Sequence, residues 1–215
     1  MLKVWGRRNS SNVQKVMWLI GELGLDHEHI PAGGSFGLTE TPEFRAMNPH
    51  GRVPVIDDNG TVVWESQAIL RYLATLSASP PLWPETPGER AQQDQWMDWS
   101  VQTLQRDFLI GVFWGFYRTP EAKRDQHAIE AAVATCTRHF QLLDTVLADR
   151  PFMSGSAFGL ADIVVGSNLY RYYTLDIDRP AVPNVEAWRD RIESRPAYRD
   201  HVMVDYSELF GRLSF

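Results

Sequence analysis

N-P-H-G-R-V-P-V-I-D-D-N-G-T-V-V-W-E-S-Q-A-I-L, residues Asn48 to Leu70, decides how the chain is read, and it divides into three parts. In the first, Gly51-Arg52-Val53-Pro54, a proline opens the short apolar run that ends at Ile56. Proline has no N–H for a β-ladder and belongs at the start, edge or bulge of a strand. A cis bond before proline lies only about 0.5–1 kcal/mol above trans. At Val53–Pro54 it would turn the Val53 N–H and C=O outward, where an extended peptide can pair with them as an added strand. The second part, Asp57-Asp58-Asn59-Gly60, carries Asn-Gly between apolar runs. That dipeptide accepts φ > 0 at both central positions and predicts a hairpin of Val53–Ile56 with Val62–Trp64. The third part is Glu65-Ser66, followed by Ile69, Leu70 and Leu73 at helical spacing. A hydroxyl, free N–H groups and the helix dipole at Ser66 make a place for a carboxylate. Glu65 beside it attracts an ammonium group, and such a pair suits the free amino-acid end of a small peptide. The plainer alternative is that Glu65 and Ser66 only cap the helix.

Upstream, Leu2-Lys3-Val4-Trp5 reads as a strand ended by Gly6 and the polar turn Arg7-Arg8-Asn9. Val13, Met17, Ile20 and Leu23 follow at helical spacing, with Ser10, Ser11 and Asn12 as N-cap candidates and Gly24 as a stop. His27 to Ile30 is a second strand, so the order is β-α-β followed by ββ-α. Pro31 to Glu40 reads as a glycine-containing loop, with a helical turn at Pro42–Met47.

Downstream, residues 77–88 hold four of the thirteen prolines and read as a linker. Beyond it helical spacing dominates: Trp96, Trp99, Val101 and Leu104, then Ile129, Val133, Phe140, Leu143 and Leu147. Phe108, Phe113, Trp114, Phe116 and Tyr117 crowd one helical stretch between Arg106 and Arg118. Trp96 and Trp99 are expected in the core. Cys136 falls within a helix as a buried thiol. A later run, Gly159-Leu160-Ala161-Asp162, reads as a helix opening whose aspartate reaches back to the first N–H groups, a structural role. Val182 to Tyr198 closes the helical half, and Tyr206, Leu209 and Phe210 are placed to fold back over it.

The 215 residues are 44% hydrophobic with a net charge of −6, which fits an ordered core and argues against nucleic-acid or anionic-membrane binding. No apolar run approaches the ~20 residues that span a bilayer, and Met1 to Arg8 lacks a signal-peptide stretch. A single cysteine excludes an internal disulfide and a cysteine-based metal site. The expectation is a soluble cytoplasmic protein with no metal and no cofactor.

Taken together, R-V-P-V-I, the hairpin, E-S-Q-A-I, the helical half and the Asp162 helix resemble, in order, the cytosolic glutathione transferases, of a serine-type bacterial class. The resemblance covers nearly the whole chain. It implies an α/β thioredoxin-like N-terminal domain over residues 1–77, a linker over 78–88 and an all-helical C-terminal domain over 89–215. It implies glutathione, as co-substrate, lying along Val53, Pro54, Glu65 and Ser66, with Arg52 or His50 at its glycine carboxylate. K-V-W-G-R-R-N-S-S-N-V resembles the family's serine turn. Ser10, or else Ser11 or Asn12, would donate a hydrogen bond to the sulfur and stabilise the thiolate, with Arg7 and Arg8 adding positive potential. No cysteine stands in this turn, which argues against disulfide exchange. Arg106, Phe113, Trp114 and Tyr117 would line the pocket of a small hydrophobic electrophile, although Arg106 also suits a surface salt bridge. The family implies a homodimer. Two alternatives remain on the same site: a glutathione-dependent isomerase or peroxidase, and a non-catalytic relative that binds glutathione or other proteins. Where the family usually has serine or threonine before the Asp162 helix, this chain has Gly159.

Overall fold

A computed structural model describes residues 1–76 and 82–213. They divide into two compact units: residues 1–76 with Pro196–Val204, and residues 82–195 with Asp205–Leu213.

The first unit begins with strand β1 (Leu2–Trp5), helix α1 (Ser11–Leu23) and strand β2 (His27–Ile30). Helix α2 (Pro42–Met47), the hairpin β3 (Val55–Asp58) and β4 (Thr61–Trp64), and helix α3 (Ser66–Leu76) follow. Among the described residues the strands form one sheet in the order β2-β1-β3-β4, β1 parallel to β2 and antiparallel to β3. Asn59 and Gly60 have φ of 50° and 96°, the mirror-image turn that matches strand twist. Gly24 ends α1 in the left-handed conformation, at φ 61°, as the sequence predicts. Val13, Val16, Leu19 and Ile20 of α1 and Ile69, Leu70 and Leu73 of α3 are buried, closing one apolar layer. Helix α9 (Pro196–His201), late in the sequence, belongs to this unit: Tyr198 packs edge-on to Trp18 of α1 at 4.7 Å.

The second unit is helical: α4 (Pro87–Trp99), α5 (Gln126–Val146), α6 (Leu160–Gly166), α7 (Leu169–Thr174) and α8 (Pro183–Glu193). The part of the expected linker before residue 82 lies outside the described residues, and α4 already begins at Pro87, capped by Thr86 accepting from the Glu89 N–H. The spacing of the aromatics predicts a regular α-helix beyond Trp99. The chain instead widens into π geometry over Ser100–Leu104 and Arg106–Arg118. Its buried residues are Ser100, Leu104, Phe108, the adjacent pair Val112 and Phe113, and Arg118. Gly111 and Gly115 let the segment lie close against α5: a Cβ on Gly111 would meet that of Ala132 at 2.9 Å. Trp96 and Trp99, expected in the core, are only half-buried; they pack on each other, and Trp99 on His139, because their helix turns them toward its edge.

The Asp162 staple holds this unit together. Asp162 is fully buried and accepts from the N–H groups of Met153, Ser154 and Gly159 and from the Trp188 indole, at 2.7–3.2 Å. Burial raises its pKa, and the hydrogen bonds pull in the opposite direction. Gly159 has no hydroxyl to cap α6, so Gln93 of α4 supplies the acceptor, its Oε1 taking the Ala161 N–H at 3.3 Å. A Cβ on Gly159 would stand 2.8 Å from that amide. The glycine is therefore matched to a cap borrowed from another helix.

Candidate active site

Strand register assembles the site in the first unit. Trp5 pairs with Val55, and Val55 with Trp64. Adjacent strands lie about 4.8 Å apart. The turn after β1, the Val53–Pro54 bond before β3 and Glu65 after β4 therefore all leave the sheet at one end. Trp5 also pairs with Ile30, so the loop after β2 leaves there too. Beneath this end, Ala32, Phe44 and Val55 form a buried cluster flanked by Trp5, Met47, Val53 and Trp64.

In the turn after β1, Ser10 is the N-cap residue of α1, with φ −82° and ψ 123°. Its hydroxyl makes no cap hydrogen bond, and its carbonyl accepts from the Gln14 N–H. The side chain is half-buried, Ser11 is buried and Asn12 half-buried. Arg8 is held by the Asp200 carbonyl at 2.9 Å.

On the second segment, the Val53–Pro54 peptide bond is cis. The loop before it is built around Asn48, which is 3% exposed. Its amide donates to the Arg52 carbonyl at 2.8 Å and accepts from the His50 N–H at 3.0 Å. Gly51 has φ 60°, and a Cβ there would meet the Arg45 guanidinium at 2.6 Å and the Thr39 carbonyl at 2.8 Å, so only glycine fits. The side chains of Arg52 and His50 are exposed, the His50 ring tilted against Trp64 at 5.3 Å.

The third segment pivots on Glu65, a non-glycine residue at φ 68°. Such a conformation costs on the order of 1 kcal/mol and is kept where surrounding structure imposes it. Here it opens α3: the Glu65 carbonyl accepts from the Ile69 N–H at 2.9 Å, its carboxylate side chain is exposed, and Ser66 is buried at the helix N-terminus. The exposed Glu65 carboxylate thus stands beside the N-terminus of α3, where the sequence analysis expects the amino-acid end of a small peptide.

One residue of this region has no counterpart among the sequence candidates. Lys15 of α1 is fully buried, and its Nζ donates to Asn12 Oδ1 at 3.0 Å. Burial pushes it down to about 7, and Glu65 pulls it back up. Its signal in the sequence is a charge set between Val13, Val16 and Leu19 on the buried side of α1.

In the helical unit the aromatic candidates separate. Phe113 and Tyr117 stack at 5.3 Å, and both meet Tyr206 of the returning tail; Tyr117 also meets Phe210. Phe113 is fully buried and Tyr117 half-buried. Trp114 is 36% exposed and lies under the Arg118 guanidinium at 4.2 Å. Arg171, a buried residue absent from the sequence candidates, stacks over Phe113 at 4.7 Å. Burial raises the Tyr117 hydroxyl. Arg106 stands at the far end of the π segment, in a groove of about 370 Å³ with Asp107, Ile110 and Ala132, apart from this cluster. Cys136 is buried and its thiol pushed up to about 12, an inert group. Among the described residues no cluster of His, Cys, Asp and Glu is placed to hold a metal, and no helix is long and apolar enough to cross a membrane.

The family model described as "Glutathione S-transferase, N-terminal domain" matches residues 1–75, and the one described as "Glutathione S-transferase, C-terminal domain" matches residues 106–196. The chain is 40% identical over 209 residues to the glutathione S-transferase GstB of Escherichia coli, covering 96% of this chain and 100% of that protein. It is 30% identical to glutathione S-transferase 3 of Zea mays, covering 94% and 93%. A crystal structure of the theta class glutathione S-transferase of Xanthomonas axonopodis pv. citri, with glutathione bound, superimposes with a TM-score of 0.90 at 45% identity, covering 95% of this chain and 98% of that one.

Proposed function

The chain belongs to the glutathione S-transferase family, and on that premise we propose that it conjugates glutathione to small hydrophobic electrophiles at the end of its sheet. The observation that carries this reading is the register Trp5–Val55–Trp64, which brings the turn that bears Ser10, the segment before β3 and Glu65 beside the α3 N-terminus to one end of the sheet. Glutathione pairs its main chain with Val53. Its amino-acid end lies on Glu65 and Ser66, and its glycine carboxylate meets Arg52 or His50. The Ser10 hydroxyl, uncommitted to capping α1, donates to the sulfur.

A free thiol of pKa about 8.5 is mostly protonated at neutral pH. A donor to the charged form, next to the positive end of α1, lowers that value. The thiol proton leaves to solvent. The thiolate then attacks the electrophilic carbon: a C–S bond forms, and the bond to the leaving group breaks with its electron pair going to that group. No metal enters these steps. Tyr117 and Trp114, backed by Phe113, offer aromatic surface for the second substrate. The protein acts as a homodimer in the cytoplasm, with residues 1–77 binding glutathione.

The test is the thiolate absorbance of bound glutathione across pH, in wild type and in Ser10→Ala. Wild-type protein ionises the thiol well below its free value. Loss of one donor to a charged group, worth about 1.5–3 kcal/mol, lowers kcat/KM roughly 10- to 100-fold in the variant and leaves Tm unchanged. An equal pKa in both proteins moves the donor to Ser11, Asn12 or a backbone N–H. Absence of glutathione binding refutes the function.

A further inference from the structure

Lys15 is costly where it stands. It lies on the buried face of α1 with Val13, Val16 and Leu19, and none of its side chain reaches solvent. Removing an ammonium from water costs several kcal/mol after relaxation, and a methionine of similar reach would fill the same space without that cost. One partner of Lys15 is a side chain of the candidate site: Nζ donates to Asn12 Oδ1 at 3.0 Å. The carboxylate felt most strongly at Lys15 is that of Glu65. Asn12 stands in the turn assigned to the thiol, and Glu65 in the segment assigned to the amino-acid end of the peptide.

We propose that Lys15 is a positioning residue of the glutathione site: its buried Nζ orients the Asn12 amide and offsets the Glu65 carboxylate, so one side chain organises two of the three segments that hold the tripeptide. The inference rests on the glutathione-binding reading above and adds a residue that does not itself touch the ligand. Because Lys15 acts on how bound glutathione is held, its loss weakens glutathione binding more than it slows the step after binding. Because it carries a desolvation cost, its loss does not weaken the fold.

The experiment compares Lys15→Met, Asn12→Ala, Glu65→Gln and the two double variants containing Lys15→Met. It reads KM for glutathione and kcat with a chromogenic aryl halide, calorimetric binding of glutathione, and Tm. Lys15→Met is expected to raise KM for glutathione about tenfold, to change kcat less than about threefold, and to keep or raise Tm. In either partner-variant background its effect on KM shrinks, because part of what it positions is gone. Lys15→Gln, which keeps an N–H donor without the charge, gives an intermediate KM and carries the test if the methionine variant does not fold. Unchanged glutathione binding in a folded Lys15 variant overturns the inference, as do effects that multiply fully in both double variants. A wild-type protein that binds no glutathione overturns the functional reading itself, an outcome told apart by the wild-type calorimetry alone.

Discussion

Asp162 and Lys15 are both ionisable and both fully buried, one in each unit, and they are buried to different ends. Asp162 is surrounded by donors: three backbone N–H groups and an indole converge on its two oxygens. Those donors come from the 153–159 loop and from α8, so the carboxylate joins segments far apart in sequence. Lys15 meets the Asn12 amide and the field of Glu65, both at the candidate site. A buried charge whose partners are backbone groups of the scaffold fixes architecture. A buried charge whose partners are site side chains fixes the site, and it takes its cost from stability.

The comparison breaks most visibly at Asp162. Asp162→Ala leaves three buried donors and the half-buried Ser154 N–H without their acceptor, at about 1–3 kcal/mol each. The expected loss is at least about 4 kcal/mol, a fall in Tm of roughly 10 °C or more at this chain length. Thermal unfolding checks it, and a loss below about 1 kcal/mol would remove Asp162 from its structural role.

A smaller effect sharpens the same side. Gly159→Ser restores a capping hydroxyl but drives its Cβ to 2.8 Å from the Gln93 amide, so alone it should destabilise by about 1–3 kcal/mol. Gln93→Ala alone costs about 1 kcal/mol by losing the borrowed cap. The double variant should lie near wild type, because a serine cap then replaces the glutamine one. Strict additivity in chemical denaturation would show that the two residues do not share the cap.

The last effect concerns Lys15 and is read as a difference across pH, with a definite sign. Its folded-state pKa is depressed to about 7 from 10.5. Between those values the unfolded chain holds a proton that the folded chain has released, so stability rises with pH across that window. Below about pH 7 the burial cost is complete. The stability advantage of Lys15→Met over wild type should therefore be greatest at and below neutral pH and shrink toward pH 10. An advantage independent of pH, measured by matched melting curves, would show that Lys15 does not titrate within the fold.

Much of the first unit was legible because its instructions are local. Asn59-Gly60 accepts the left-handed turn that makes the hairpin, Gly24 stops α1, and a proline before β3 marks the strand edge. Glu65-Ser66 before a helical repeat shows a helix N-terminus. These signals show the β-α-β and ββ-α order of elements, whereas the order of the strands in the sheet and the end at which the glutathione candidates meet come from the structure. The aromatic stretch reads as helical from its spacing, but its π geometry has no local signal in the sequence. Arg106, which the resemblance groups with Phe113 and Tyr117, stands at the opposite end of the π segment from Tyr117.

By itself, then, the sequence determined the β-α-β and ββ-α succession of elements, the hairpin and the segments from which the candidate site is made. Each of these follows from steric and hydrogen-bonding preferences that act within a few residues. Only the tertiary structure decided that Lys15 is buried against Asn12 with Glu65 near, that Gln93 caps α6 in place of the side chain Gly159 lacks, and that α9 packs on α1. The free energy of a buried charge or a borrowed cap depends on which distant groups enclose it, and that enclosure is set by the packing of the whole chain.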